Sequence, residues 1–266
     1  MLGSVMDTED IIQDAFITFD QLPEREKIEN KKAYLCKLVT NRCLDLLKSS
    51  SKKRELYVGP WLPEPLFNKD LNNDPSVRYL QKESLSIAYL LLLQQLNAME
   101  RAVFLLREIF QYSYKEIAEM VGKSTANCRQ IFRRAKQSIS FNPETTPSST
   151  IVEAKVKDFV QSILKGNTAH IMELIREDII CYSDGGGKVK AAQIPIVGSA
   201  KVVHLFTNTA RKYAGTFTLM YTNVNYMPGL ILAVEDGTKY VYSFEFKGPQ
   251  IKTIYNISNP DKLTHL

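Results

Sequence analysis

The chain has 266 residues, with 34 Lys+Arg against 29 Asp+Glu, a net charge of +5 and 44% hydrophobic residues, a balance that excludes disorder, a collagen-like rod and a disulfide miniprotein and fits about two globular domains. No apolar run approaches the roughly 18–20 residues needed to span a bilayer, and the start lacks the pattern of a signal peptide, so the expected location is the cytoplasm with no membrane partner. Cys36, Cys43, Cys128 and Cys181 show no C-x-x-C spacing and stand beside only three histidines, so reduced, packed thiols are expected, with no metal site and no cofactor.

Charge is segregated along the chain. Residues 7–29 carry Asp7, Glu9, Asp10, Asp14, Asp20, Glu24, Glu26 and Glu29 against Arg25 and Lys27, and their apolar positions Ile11, Ile12, Ala15, Phe16 and Phe19 recur at helical spacing up to Leu22-Pro23. A second helix is predicted from Lys31 to about Ser50. Its apolar face is Leu35, Leu38, Val39, Cys43, Leu46 and Leu47, and a polar stripe of Lys37, Asn41, Asp45, Lys48 and Lys52 runs into an expected loop of Ser49, Ser50, Ser51, Lys52, Lys53 and Arg54. Three prolines in Gly59-Pro60-Trp61-Leu62-Pro63-Glu64-Pro65 mark a linker reaching Asp74. A solvated tether has little use for Trp61 and Leu62, so the segment is expected to dock.

Asp74-Pro75 opens a helical run through Leu96. Asn97 with Glu100, and Ser113 with Glu116, read as capping boxes for helices to about Phe110 and to Val121. Gly122 suits a left-handed stop, and Ser124 caps a helix from Thr125 to about Ile139. Two helices joined by Gly122-Lys123-Ser124 are the pattern of a helix-turn-helix, whose second helix places Thr125, Ala126, Asn127, Arg129 and Gln130 toward bases and Arg133, Arg134 and Lys136 toward phosphates. A solvated basic helix is the competing reading.

Residues 142–150 read as a linker into an α+β domain: helices at 151–166, 168–176 and 199–212, then a meander of strands at Thr216–Asn225, Leu230–Glu235, Tyr240–Phe246 and Lys252–Ile257, with turns at Met227-Pro228-Gly229, Asp236-Gly237 and Lys247-Gly248-Pro249. Gly185-Gly186-Gly187 permits a special backbone and a close approach, or is simply a turn, and Lys188 and Asp184 offer a charge pair.

The segment Asp7 to Phe16, the stretch Lys32 to Asp45 and the helix-turn-helix together resemble an extracytoplasmic-function (ECF) sigma factor of the sigma-70 family. Trp61-Leu62-Pro63-Glu64-Pro65, Asp184-Gly185-Gly186-Gly187-Lys188 and Asn259-Pro260-Asp261-Lys262-Leu263 resemble the signatures of the subgroup with a SnoaL-like C-terminal extension. The resemblance implies a multidomain chain: two all-α DNA-binding domains, the second a helix-turn-helix, followed by an α+β SnoaL-like cone with a curved antiparallel sheet. The implied boundaries are region 2 at 1–56, the linker at 57–74, region 4 at 75–141, a second linker at 142–150 and the regulatory domain at 151–266.

The resemblance further implies roles. Glu9, Asp10, Gln13 and Asp14 would contact core RNA polymerase at the β′ clamp helices, with the β flap as a second polymerase contact. Asn41, Arg42, Asp45, Lys48, Lys52, Lys53 and Arg54 would read and melt the −10 promoter element, and Thr125, Asn127, Arg129, Gln130, Arg133 and Arg134 would read the −35 element. The three signatures would form an intramolecular regulatory contact, and a small ligand of unknown identity is an open partner. The chain would not be an enzyme. In that family a further helix's worth of residues precedes the segment equivalent to Met1–Ser4, so either the start lies upstream or Ile12, Phe16 and Leu38 lose a packing partner. A helix-turn-helix regulator working without polymerase, and a SnoaL-like isomerase or cyclase, are the alternative functions; the resemblance to such enzymes implies Asp184, Tyr182, His204 or Asp236 as candidates for a general base or oxyanion donor.

Overall fold

The computed structural model describes residues 1–55, 57–67, 87–139, 149–264 and 266, without the side chains of residues 50–55, 88 and 149. The expected helix start at Asp74-Pro75, the linker beyond Phe67 and most of the expected linker at 142–150 lie outside the described residues. The chain divides into two compact units. One holds the described residues up to Glu55 and from Leu90 to Ile139; the other holds residues 57–67, 87–89 and those from Ser149 onward.

In the helical unit, α1 (Val5–Asp20) is capped by Ser4, whose hydroxyl accepts from Asp7 N, and it buries Ile11 and Ala15. Ile12 and Phe16, expected on the packed face, are exposed at 40% and 58%. Ile11 and Ala15 lie four residues apart on the buried side, and the next position along is rotated about 100° away from it. Helix α2 (Lys31–Glu55) joins Cys43 to a core with Leu2 and Ile11. It continues through the expected loop of Ser49 to Arg54, because no glycine or proline interrupts it before Gly59-Pro60.

Helix α3 (Ile87–Gln95) is followed by α4 (Ala98–Glu108), α5 (Tyr114–Val121) and α6 (Thr125–Ser138). Both capping boxes form, Asn97 with Glu100 and Ser113 with Glu116. Buried Arg101 donates from Nε to Leu93 O at 2.8 Å and from Nη2 to Leu96 O at 3.2 Å, satisfying carbonyls that the end of α3 leaves open. Val103, Leu106, Ile117, Met120, Val121, Cys128 and Ile131 close the core of α4 to α6, with Ala33 and Cys36 of α2 packed against it.

From Ser149 onward the second unit begins with α7 (Ser149–Lys165) and α8 (Thr168–Leu174). It continues with β1 (Ile175–Asp184), β2 (Ile196–Val197), α9 (Ser199–Lys212), β3 (Phe217–Val224), β4 (Met227–Val234), β5 (Lys239–Lys247) and β6 (Gln250–Ile257). The strand order is β2-β1-β6-β5-β4-β3. The sheet is mixed rather than antiparallel, because β1 pairs β6 in parallel, from Ile175 opposite Ile251 to Asp184 opposite Ile257. The expected helix at 168–176 therefore ends at Leu174, and a strand begins at Ile175.

Met227-Pro228-Gly229 is also corrected, from turn to strand. The reversal is made by Asn225 and Tyr226, with φ of +50° and +64°, between paired Val224 and Met227. Positive φ at both central residues matches the right-handed twist of a two-residue hairpin. Pro228 is tolerated because the pairing of β4 with β5 starts only at Gly229. Helices α7, α8 and α9 cover the concave face, where Phe159, Phe206, Tyr242 and Phe244 make an aromatic cluster. No helix among the described residues is long and apolar enough to cross a membrane.

Candidate nucleic-acid interface and linker-docking site

The helix-turn-helix is set by local chemistry. Gly122 ends α5 at φ +66° with no atom near a hypothetical Cβ, so the glycine serves the backbone angle alone. The Ser124 hydroxyl accepts from Asn127 N at 3.2 Å and starts α6. Cys128, Ile131 and Ala135 face inward, which leaves Arg129, Gln130, Arg133 and Arg134 exposed and Thr125 and Asn127 half-buried. The Arg129 guanidinium lies 5.6 Å from the Tyr114 ring centre, close enough for the ring to steady it.

On α1, Glu9, Asp10, Gln13 and Asp14 are all exposed. Arg42 does not point freely outward: its Nη1 donates to Asp14 Oδ2 at 2.6 Å and its Nη2 to Thr18 Oγ1 at 2.6 Å, bracing α2 on α1. Asn41 is half-buried, whereas Asp45 and Lys48 are exposed and pair at 3.1 Å. The side chains of Lys52, Lys53 and Arg54 lie outside the described residues.

The three glycine- and proline-rich motifs converge on one buried carboxylate. Asp184, at the end of β1, is fully buried. Its Oδ1 accepts from the Tyr57 hydroxyl at 2.6 Å and from Gly186 N at 3.1 Å. Its Oδ2 accepts from Leu62 N at 2.8 Å and from Lys262 Nζ at 2.7 Å. Lys262 Nζ also donates to Leu62 O and stands 3.9 Å from the Trp61 ring centre and 5.0 Å from that of Tyr57. A buried ion pair needs such a complete set of partners to offset its desolvation. Burial, and then the hydrogen bond to Asp184, push the Tyr57 phenol above its ordinary range, so it stays a donor.

Each motif residue has a local reason. Asn259 caps the 3₁₀ turn Pro260–Lys262, accepting from Asp261 N at 3.1 Å, and that turn carries Lys262 back to Asp184. Asn259 Nδ2 donates to the Tyr57 hydroxyl at 2.8 Å. Leu263 is buried beside the turn, and Pro260 is exposed at its start. A Cβ at Gly185 would sit 2.2 Å from Val189 O, and one at Gly186, with φ +59°, 2.3 Å from Asn259 Nδ2. Gly187 has φ +73° and faces Val58. Leu62, Pro63 and Pro65 are buried, with Trp61 and Glu64 half-buried.

The expected Lys188–Asp184 pair does not form. Lys188 meets Asp261 at 2.6 Å, because the parallel pairing of β1 with β6 delivers Lys262 to the buried carboxylate first. Tyr57, Leu66, Phe67, Val224 and Asn225 contribute from outside the three motifs. Beyond Pro65, Leu66 O accepts from Asn225 N at 2.9 Å, Leu66 N donates to Asn225 Oδ1 at 3.2 Å, and Phe67 bridges to Val224, so the linker adds to the sheet at the β3–β4 turn. Only the positive-φ preference of asparagine could have marked Asn225.

The candidate catalytic groups do not meet in the concave cavity. Cys181 and Ser183 line it, so Tyr182 and Asp184 alternate to the other face, where Tyr182 stacks on Tyr255. His204 is exposed on α9 and bonds Asn208, and Asp236 accepts from Thr238 N in a hairpin turn. All four cysteines are free thiols, and no group of His, Cys, Asp and Glu among the described residues could hold a metal ion.

Comparison with known proteins gives a consistent set of likenesses. The family profile of Sigma-70 region 2 matches residues 1–53, and that of Sigma-70, region 4 matches residues 86–139. The chain is 28% identical over 279 residues to the ECF RNA polymerase sigma factor SigJ of Mycobacterium tuberculosis, covering 99% of this chain and 88% of that protein. It is 26% identical over 209 residues to the probable ECF RNA polymerase sigma factor SigI of the same organism, covering 76% of this chain and 68% of that one. The crystal structure of SigJ superposes with a TM-score of 0.79 at 26% identity, covering 98% of this chain and 91% of that one.

Proposed function

Because the chain belongs to the sigma-70 family as an ECF sigma factor with a SnoaL-like C-terminal extension, we propose that it binds core RNA polymerase in the cytoplasm and directs initiation, with its own C-terminal domain setting activity by gripping the linker. Glu9, Asp10, Gln13 and Asp14 present an acidic face suited to the β′ clamp helices, and the second polymerase contact is the β flap. Asn41, Asp45, Lys48, Lys52, Lys53 and Arg54 serve the −10 element. Arg42 reaches DNA there only by leaving Asp14 and Thr18. Thr125, Asn127, Arg129, Gln130, Arg133 and Arg134 serve the −35 element, with bidentate Arg129 and Asn127 contacts supplying discrimination and the later arginines neutralising phosphates. The polymerase performs the chemistry, and this chain contributes recognition.

The observation that carries the regulatory reading is the buried Asp184–Lys262 pair closed on both backbone groups of Leu62. The segment lies between the two DNA-reading parts in sequence, so pinning it replaces a free tether with a fixed path. Tethering gives such a contact a high effective concentration. In vitro transcription with purified core polymerase tests the proposal, comparing the full chain, a version ending after Asn142 and Asp184→Asn. Promoter-specific initiation whose level changes when the grip is lost supports it. Initiation insensitive to both changes removes the regulatory part. Promoter binding without initiation or polymerase association removes the sigma reading itself.

A further inference from the structure

Between the concave face of the sheet and α7 and α9 lies a cavity of about 470 Å³, within the roughly 300–1,000 Å³ of small-molecule sites. Its inner wall is apolar, with Phe159, Phe206 and Phe244 among the lining residues. Strand register sets three polar residues of the lining in one row, with Asn256 between Ser183 and Tyr242. Asn256 Oδ1 is buried there with no hydrogen-bond partner among the described residues. An orphaned buried acceptor is destabilising, a penalty that a ligand donor reaching this row would remove. The two charged residues of the lining, Lys190 and Lys212, are both cationic, and no carboxylate lines the cavity among the described residues.

We propose that this cavity binds an amphipathic carboxylate whose apolar body fills the inner part and which carries a hydroxyl or amide N–H near its charged end. The carboxylate meets Lys190 and Lys212, and the adjacent donor satisfies Asn256 Oδ1. A neutral amphiphile leaves the two ammonium groups without an anion, and a simple fatty acid leaves Asn256 unpaired. Each part of the ligand is thus specified by a different part of the lining. Binding of this kind is independent of whether the chain works with polymerase.

The test is calorimetry on the full chain with 3-hydroxydodecanoate, dodecanoate and dodecanol, all below their micelle-forming concentrations. The expected order is 3-hydroxydodecanoate tightest, dodecanoate weaker by about three- to tenfold, the worth of one hydrogen bond, and dodecanol weakest. Within the 3-hydroxy acids, each methylene removed weakens binding by about fourfold. The double variant K190A/K212A, changed only at exposed positions, loses the preference for acids over dodecanol while dodecanol binding stays unchanged. Asn256→Leu, with its fold verified by thermal unfolding, erases the preference for the hydroxy acid. If Asn256→Leu does not fold, Ser183→Ala serves as a control outside the proposed donor contact and should keep that preference. Equal affinity for all three amphiphiles, or no binding by any, overturns the proposal and leaves the cavity a packing void.

Discussion

Replacing Asp184 by asparagine exchanges one oxygen for an NH₂ group at nearly constant volume, yet all four neighbours of that carboxylate are donors: the Tyr57 hydroxyl, Gly186 N, Leu62 N and Lys262 Nζ. Whichever way the amide turns, a donor meets a backbone N–H, and the Lys262 ammonium, whose side chain is only 7% exposed, loses its pairing with the Asp184 carboxylate. Removing one member of a buried pair costs about 3–5 kcal/mol. Against this, the docked segment retains the burial of Leu62, worth about 1.5–3 kcal/mol. The docking equilibrium should therefore shift toward release by roughly a hundredfold to a few thousandfold. Trp61 is the chain's only tryptophan, so acrylamide quenching of its fluorescence reads the docked state directly. In Asp184→Asn the quenching constant should rise toward that of a free indole, and the Leu62 amide should lose protection from hydrogen exchange. Lys262→Met combined with Asp184→Asn removes the buried ammonium as well and should recover part of the loss. Unchanged quenching in the single variant would show that apolar contacts alone hold the segment.

Gly122→Ala should cost about 1 kcal/mol, the left-handed backbone being its only conflict, whereas Gly186→Ala adds a collision with Asn259 and should cost more; equal losses in denaturant unfolding refute the steric account. Arg129→Ala should weaken promoter-DNA binding by about 1–3 kcal/mol with relaxed sequence preference, while Arg134→Ala should chiefly lower the salt slope by about one; gel-shift titrations at several salt concentrations separate them, and two identical phenotypes contradict the division of labour. The hydrogen bonds of His170 to Glu173 and then Asp158 raise its pKa in the folded state. Its support for the α7–α8 pair is therefore fully present below the ordinary histidine value of about 6.5 and fades as pH rises through the raised value. Hydrogen exchange of α8 between pH 6 and 9 should show that decline, with His170→Gln flat over the same window.

What could be read from the sequence divides by distance along the chain. Asn97 with Glu100, Ser113 with Glu116 and Gly122 act within four residues of themselves, and all three helix boundaries they announce are present. The hairpin strands are legible as β-rich runs, but Pro228 and Gly229 read as part of the turn, since their composition is that of a turn and only pairing with β3 and β5 makes them strand. Strand β1 is not legible in the sequence because it owes its conformation to β6, more than seventy residues later. The clamp was legible as a list of motifs and illegible as a set of bonds. Two aspartates and two lysines stand in those motifs, and proximity along the chain favoured Asp184 with Lys188, whereas the parallel β1–β6 pair exchanges the partners. Tyr57 and Asn225 had no motif to announce them, being chosen by the shape of a surface that exists only after folding.

The contact between Leu62 and Lys262 spans 200 residues of chain, and those residues are made in order. At about 5–20 residues per second of synthesis, roughly 10–40 s separate the emergence of the gripped segment from that of the lysine that completes the grip. Helices α1 to α6 are all synthesised within that interval or before it. Every new copy therefore passes through a stage in which its DNA-reading helices can fold while the restraint does not yet exist. The linker is therefore unclamped at first, and its contact with Lys262 forms only after the Pro260–Lys262 turn has been made.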